Sequence, residues 1–272
     1  MTYTSIMVGC DPGSHSGGRV RLAASLADRF GARLLGVAAR LPAYPRAYGE
    51  TVMLGGYGNE EIRQLALDDL AGVERSFREA AGSNGRREWR CELKDPSFFL
   101  EEQSRAADLI VTGRSGPGFQ FDLVSAFGAG AALMASGRPV LVVPPGIERL
   151  SASRVAIAWK NTLHTRRAIS DAMPLLKLAD EVQVLTISEG DDRKEIVDVA
   201  HYLELHGVKA SAVQGPSSGD SVAASIQEAA KAFGADLIVS GAYGHNRVRE
   251  WFFGRVTQVF LDRSPICCLM SH

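Results

Sequence analysis

The chain has 272 residues, 46% of them hydrophobic and 22% charged, with a formal net charge of −1. So balanced a charge provides no global field to draw in nucleic acid or an anionic membrane, and no run of about 18 apolar residues exists to span a bilayer. Met1–Ile6 lacks the basic and apolar stretches of a secretory signal, so a cytoplasmic protein is expected.

Along the chain, short continuous apolar runs alternate with longer segments of helical period, the pattern of strands buried on both faces. The first half reads as strands near 5–10, 33–39, 88–93, 108–112 and 139–143, separated by helices near 18–30, 59–82, 97–106 and 127–136. Between the second strand and second helix lies a long loop, 41–58, rich in glycine and proline and carrying Tyr44, Tyr48 and Tyr57. It reads either as a lid over the strand ends or as an insertion. The second half reads as strands near 154–159, 181–187, 208–213, 236–240 and 265–270, with helices near 164–178, 191–206, 219–233 and 254–263. The expected fold class is α/β, with two doubly wound open parallel five-stranded sheets and helices on both faces.

The halves repeat each other. Ala107-Asp108-Leu109-Ile110-Val111-Thr112-Gly113 recurs as Ala235-Asp236-Leu237-Ile238-Val239-Ser240-Gly241, and Gly116 and Gly244 follow at the same distance. Each half closes on an apolar strand after proline, Pro139–Val143 and Pro265–Leu269. The break at Pro144-Pro145-Gly146 divides the chain into domains 1–146 and 147–272.

Cys10, Cys91, Cys267 and Cys268 show no disulfide or C-x-x-C spacing and read as small buried hydrophobes. Adjacent Cys267 and Cys268 should point to opposite faces of their strand. His15, His164, His201, His206 and His245 show no metal spacing, and no G-x-S-x-G elbow is present. Neither a catalytic residue nor a metal ligand can be nominated.

In an open parallel sheet ligands bind beyond the carboxyl ends of the strands, where strand order reverses. The loops after the first and fourth strands are therefore the candidates. In the second half, Gly241, Gly244 and Gly254 follow the fourth strand with spacing G-x2-G-x9-G, accompanied by His245, Arg247, Arg249, Arg255 and Thr257. Glycines let backbone approach a phosphate, and the next helix offers free N–H groups and a positive dipole end. Trp251, Phe252 and Phe253 in this loop read as core or interface anchors.

This spacing, the strand order and the duplication together resemble the universal stress protein family, over both halves. The resemblance implies an adenine nucleotide alpha hydrolase-like fold. It further implies a non-enzymatic stress-response protein with ATP or another adenine nucleotide in the second domain. The two halves depart from the family pattern in opposite ways. The second has Arg255 where a hydroxyl follows the third glycine, with Thr257 two residues on, and Lys160 where ATP-binding members carry an aspartate. The first keeps the acid, Asp11, but its glycines Gly113, Gly116 and Gly128 are spaced too widely and Ala129 replaces the hydroxyl. Ser16-Gly17-Gly18 resembles the phosphate loop of PP-loop ATP pyrophosphatases but lacks its following aspartate. The family likeness also implies pairing of the domains through the fifth strands, Val140–Val143 and Ile266–Leu269, and further homo-oligomerisation. A weak ATPase or other nucleotide-dependent enzyme, and a ligand-free partner-binding scaffold using loop 41–58, are the alternatives.

Overall fold

The structure, a computed structural model, describes residues 2–42, 60–114, 127–188, 192–215, 221–242 and 255–272. The first half runs β1 (Ser5–Gly9), α1 (Ser16–Phe30), β2 (Arg33–Ala39), α2 (Glu60–Ala81), β3 (Arg87–Glu92), α3 (Pro96–Ser104), β4 (Leu109–Gly113), α4 (Ala129–Ala135), β5 (Val140–Val143). The second runs β6 (Arg154–Ala158), α5 (Leu163–Leu176), β7 (Glu181–Ile187), α6 (Arg193–Leu205), β8 (Ala210–Gly215), α7 (Val222–Phe233), β9 (Leu237–Gly241), α8 (Arg255–Arg263), β10 (Cys267–Ser271). Sequence punctuation sets the boundaries. Asp95 caps α3 by accepting from the backbone N–H groups of Ser97 and Phe98, with Pro96 opening the helix. Thr162 and Ser221 cap α5 and α7 in the same way. Left-handed Gly31 and Gly234 end α1 and α7.

The central strands have both faces covered, so their side chains alternate between two cores. Ile6 and Val8 enter one layer and Met7 the other. In β10, Cys267 and Leu269 face one layer, Cys268 and Met270 the opposite one, as alternation along a strand requires. Burial pushes the Cys10 and Cys268 thiols up to about 12. Cys91 departs from the expectation of a buried cysteine. It is exposed, because β3 is an edge strand with neighbours on one side only.

Strand order is β3-β2-β1-β4-β5-β10-β9-β6-β7-β8. Two five-stranded parallel halves are present, but they do not stand apart. β5 and β10 pair antiparallel and fuse them into one ten-stranded sheet. The register is two-fold: Leu141 lies opposite Leu269, Val142 opposite Cys268, and Val140 opposite Met270. Since Leu141 and Leu269 hold matching places in the two halves, each edge meets its own counterpart, an isologous contact. An apolar edge strand with unpaired amides associates readily, which is the physical reason for the fusion. Other ties cross the same seam. The buried Tyr3 hydroxyl donates to the Asp171 carbonyl (2.7 Å), Arg167 donates to the Gly137 carbonyl (2.9 Å), and Arg21 pairs with Glu148 (2.5 Å).

The repeated aspartate has a structural task. Asp108 Oδ2 accepts from the backbone N–H of Thr4 (2.7 Å) and of Ser5 (3.0 Å) at the amino end of β1. Burial alone would raise its carboxyl, but these bonds and nearby Arg138 hold it below the usual carboxylate range. Asp236 repeats the arrangement at β6, accepting from the backbone of Ser153 and Arg154 and from the Ser151 hydroxyl.

Candidate functional site

Strand order reverses between β1 and β4 in the first half and between β6 and β9 in the second. Corresponding residues follow from the registers: Ile6 pairs with Leu109 as Val155 pairs with Leu237. Each crevice therefore opens beside the carboxyl end of the first strand of its half, against Gly113 or Gly241.

In the first half the crevice is filled from within. Arg19 projects from α1 and is only 6% exposed. Its Nε donates to the Gly9 carbonyl (3.0 Å), and its Nη2 to Asp11 Oδ2 (2.5 Å) and to Ser16 Oγ (3.3 Å). A Cβ on Gly113 would stand 2.5 Å from Arg19 Nη1, so the guanidinium lies on bare backbone. The remaining oxygen of Asp11 accepts from the Gly13 backbone N–H (2.9 Å). Asp11 is thus neutralised by its own chain. A second ion pair, Arg40–Asp69 at 2.9 Å, lies beside a cavity of about 10 Å³ lined by Cys10, Asp11, Pro12 and Leu70 among others. That volume holds about one water molecule. Phe127 packs over Gly9, where an added Cβ would come within 2.9 Å of the ring.

The second half has no arginine in this place. Ala168 stands where Arg19 does, fully buried, and α5 settles directly onto the sheet. A Cβ on Gly241 would lie 2.4 Å from the Thr165 backbone nitrogen and 2.7 Å from the His164 carbonyl carbon. Thr165 is buried, with its hydroxyl 2.9 Å from that of Thr162. Two buried nitrogens here lack a hydrogen-bond partner: Trp159 Nε1, just beyond β6, and His164 Nδ1, in the first turn of α5. The His164 ring stacks on His272, centroids 4.5 Å apart and planes 5° from parallel. Burial, then His272 and Arg167, depress its pKa.

The residues nominated from sequence divide accordingly. Asp11 and Gly113 are brought together in the first half, with Arg19 between them. Gly241 ends β9, while Arg255 opens α8 exposed and Thr257 is buried within the same first turn. Gly116, Gly244, His245 and Gly254 lie outside the described residues, as do Arg247, Arg249, Trp251–Phe253 and the tyrosines of loop 41–58. Among the described residues no three His, Cys, Asp or Glu side chains converge as metal ligands, and no helix is long and apolar enough to cross a membrane. Arg19 was not singled out from the sequence, although a signal existed. It shares the i, i+3, i+4, i+7 stripe of Leu22, Ala23 and Leu26, the buried face of α1.

Residues 170–272 match the model of the universal stress protein family. No curated protein matches the chain. A universal stress protein from Archaeoglobus fulgidus DSM 4304 is similar in fold, with TM-score 0.71 and 17% identity, covering 98% of this chain and 97% of its own. A putative universal stress protein from Pseudomonas aeruginosa UCBPP-PA14 has TM-score 0.55 and 18% identity, covering 99% and 93%. A universal stress protein from Archaeoglobus fulgidus in complex with dAMP covers 52% of this chain and 98% of its own, with 20% identity and TM-score 0.35. The universal stress match begins at Ser170, inside α5, and takes in Gly241 and the strands β9 and β10; β6, Trp159, His164, Thr165 and the whole first half lie outside it.

Proposed function

We propose that the chain is a stress-response protein acting by binding and association, whose second domain (147–272) takes an adenine nucleotide while its first (1–146) has closed its own crevice. One observation carries this reading. In the first crevice Arg19 ties up the acid Asp11 and covers Gly113, whereas the second has Ala168 in that place and leaves Trp159 Nε1 and His164 Nδ1 buried without partners. A buried donor or acceptor without a partner costs about 1–3 kcal/mol, which a ligand bonding to Trp159 Nε1 and His164 Nδ1 would recover. Arg255, exposed in the first turn of α8, supplies positive charge for phosphate. In the first crevice a nucleotide would have to displace a buried ion pair.

The test is native mass spectrometry of gently purified protein, followed by ATP titration with thermal unfolding. One adenine nucleotide per chain is expected, and ATP at a hundredfold excess over Kd should add about 2.7 kcal/mol of stability. Gly244→Val should abolish binding and Asp11→Asn should leave it. Failure to bind at millimolar ATP, or loss with Asp11→Asn instead, refutes the assignment. Turnover of ATP that disappears in Gly244→Val would replace the binding role with an enzymatic one.

A further inference from the structure

Among the described residues the fused sheet has two edges without a partner strand, β3 and β8, at matching positions in the two halves. They have diverged. β3 reads Arg87-Glu88-Trp89-Arg90-Cys91-Glu92, four of six residues charged, and three of these are engaged within the chain: Arg87 with Asp28 at 2.6 Å, Glu88 with Arg33 at 3.2 Å and Arg90 with Glu88 at 3.5 Å. Charge is the usual device for blunting an edge, because pairing would strip water from it. β8 reads Ala210-Ser211-Ala212-Val213-Gln214-Gly215 and has none.

Large apolar side chains are exposed around this unprotected edge. Val213 on β8 is 37% exposed. On α6, which packs against β8, Leu205 is 74% exposed and Val197 and Tyr202 nearly half, while Val222 is exposed at the start of α7. We propose that the β8 edge, with these flanking residues, is the surface through which two copies of the chain associate by antiparallel β8–β8 pairing.

Self-complementarity favours a second copy as the occupant. A two-fold axis between Ala212 and Val213 sets Ala212 opposite Val213, Ser211 opposite Gln214 and Ala210 opposite Gly215. No like charges face one another and no ion is desolvated. The chain already joins one pair of matching uncharged edges this way, at β5 and β10. A six-residue ladder alone buries too little for a stable dimer, so Val213 with Tyr202 and Leu205, one turn apart on α6, supplies the apolar area that lifts the contact toward the ~1,200 Å² of a specific interface.

Sedimentation velocity on the full chain, without nucleotide, between about 1 and 100 µM tests this separately from ligand binding. A dimer is expected, with Val213→Lys and Leu205→Glu each weakening association at least about tenfold while circular dichroism and melting stay unchanged. Cys91→Lys on β3 should leave the dimer intact. Amide exchange in 210–215 should slow with rising concentration in the wild type only. A wild-type monomer at 100 µM, a dimer untouched by both variants, or one dissociated by Cys91→Lys overturns the proposal. Protection of 210–215 arising only with an extended peptide from another protein would overturn it equally.

Discussion

At the carboxyl end of β1 the chain inserts a buried arginine; at the matching end of β6 it places Ala168 and lets the helix rest on bare glycine. Backbone plan and register are shared, yet the glycine that ends the fourth strand meets a charged side chain in one half and the main chain of α5 in the other. A duplicated crevice can thus be closed by a single substitution on the buried stripe of one helix. Such closure is self-consistent only where a carboxylate waits to neutralise the arginine. Asp11 provides it, whereas the second half has Lys160 in the matching place.

The comparison is broken most severely by exchanging the two residues. Ala168→Arg would bury a guanidinium with no carboxylate to pair it, since Lys160 stands where Asp11 does. It should cost more than about 3 kcal/mol in urea unfolding, and tolerance within about 1 kcal/mol would mean that the crevices are alike. Arg19→Leu leaves Asp11 partly buried without its cation and should cost about 3 kcal/mol by the same measurement. The glycines sharpen the contrast. Gly241→Ala drives a Cβ into the Thr165 backbone and should cost about 2 kcal/mol, whereas Gly113→Ala meets only the movable end of Arg19 and should cost about 1 kcal/mol.

The smallest effect is in pH dependence. The pKa of His164 is depressed in the fold, so the unfolded chain binds its proton more readily. Its contribution to stability is complete above the ordinary value of 6.5 and is lost as pH falls through the lower folded value. Thermal melting between pH 7 and 5 should show a slope that His164→Asn reduces, and an unchanged slope would remove burial of this ring as its source.

Much of the fold was legible because its signals are local. Continuous apolar runs such as Leu109–Val111 and Leu237–Val239 locate buried strands, and Asp95, Thr162 and Ser221 announce helix starts. The repeated Ala-Asp-Leu-Ile-Val betrays the duplication, but its aspartate gives no sign in sequence that it ties the amino end of a strand 103 residues away. β8 lies two residues later than the pattern 208–213 places it, since an edge strand with small side chains carries a weak alternation. The candidate site was legible in part. Glycine spacing nominates Gly113 and Gly241, while what lies against each depends on residues distant in the chain.

Alternating apolar and helical periods, read in order, determine the α/β class and its two repeats, because each period reports which faces of an element must leave water. Tertiary structure alone decided three things: the antiparallel register that sets Leu141 opposite Leu269, the pairing of Arg19 with Asp11, and the seating of Thr165 on Gly241. Each depends on which side chain reaches a given space first. That is a matter of packing in three dimensions, to which spacing along the chain is blind.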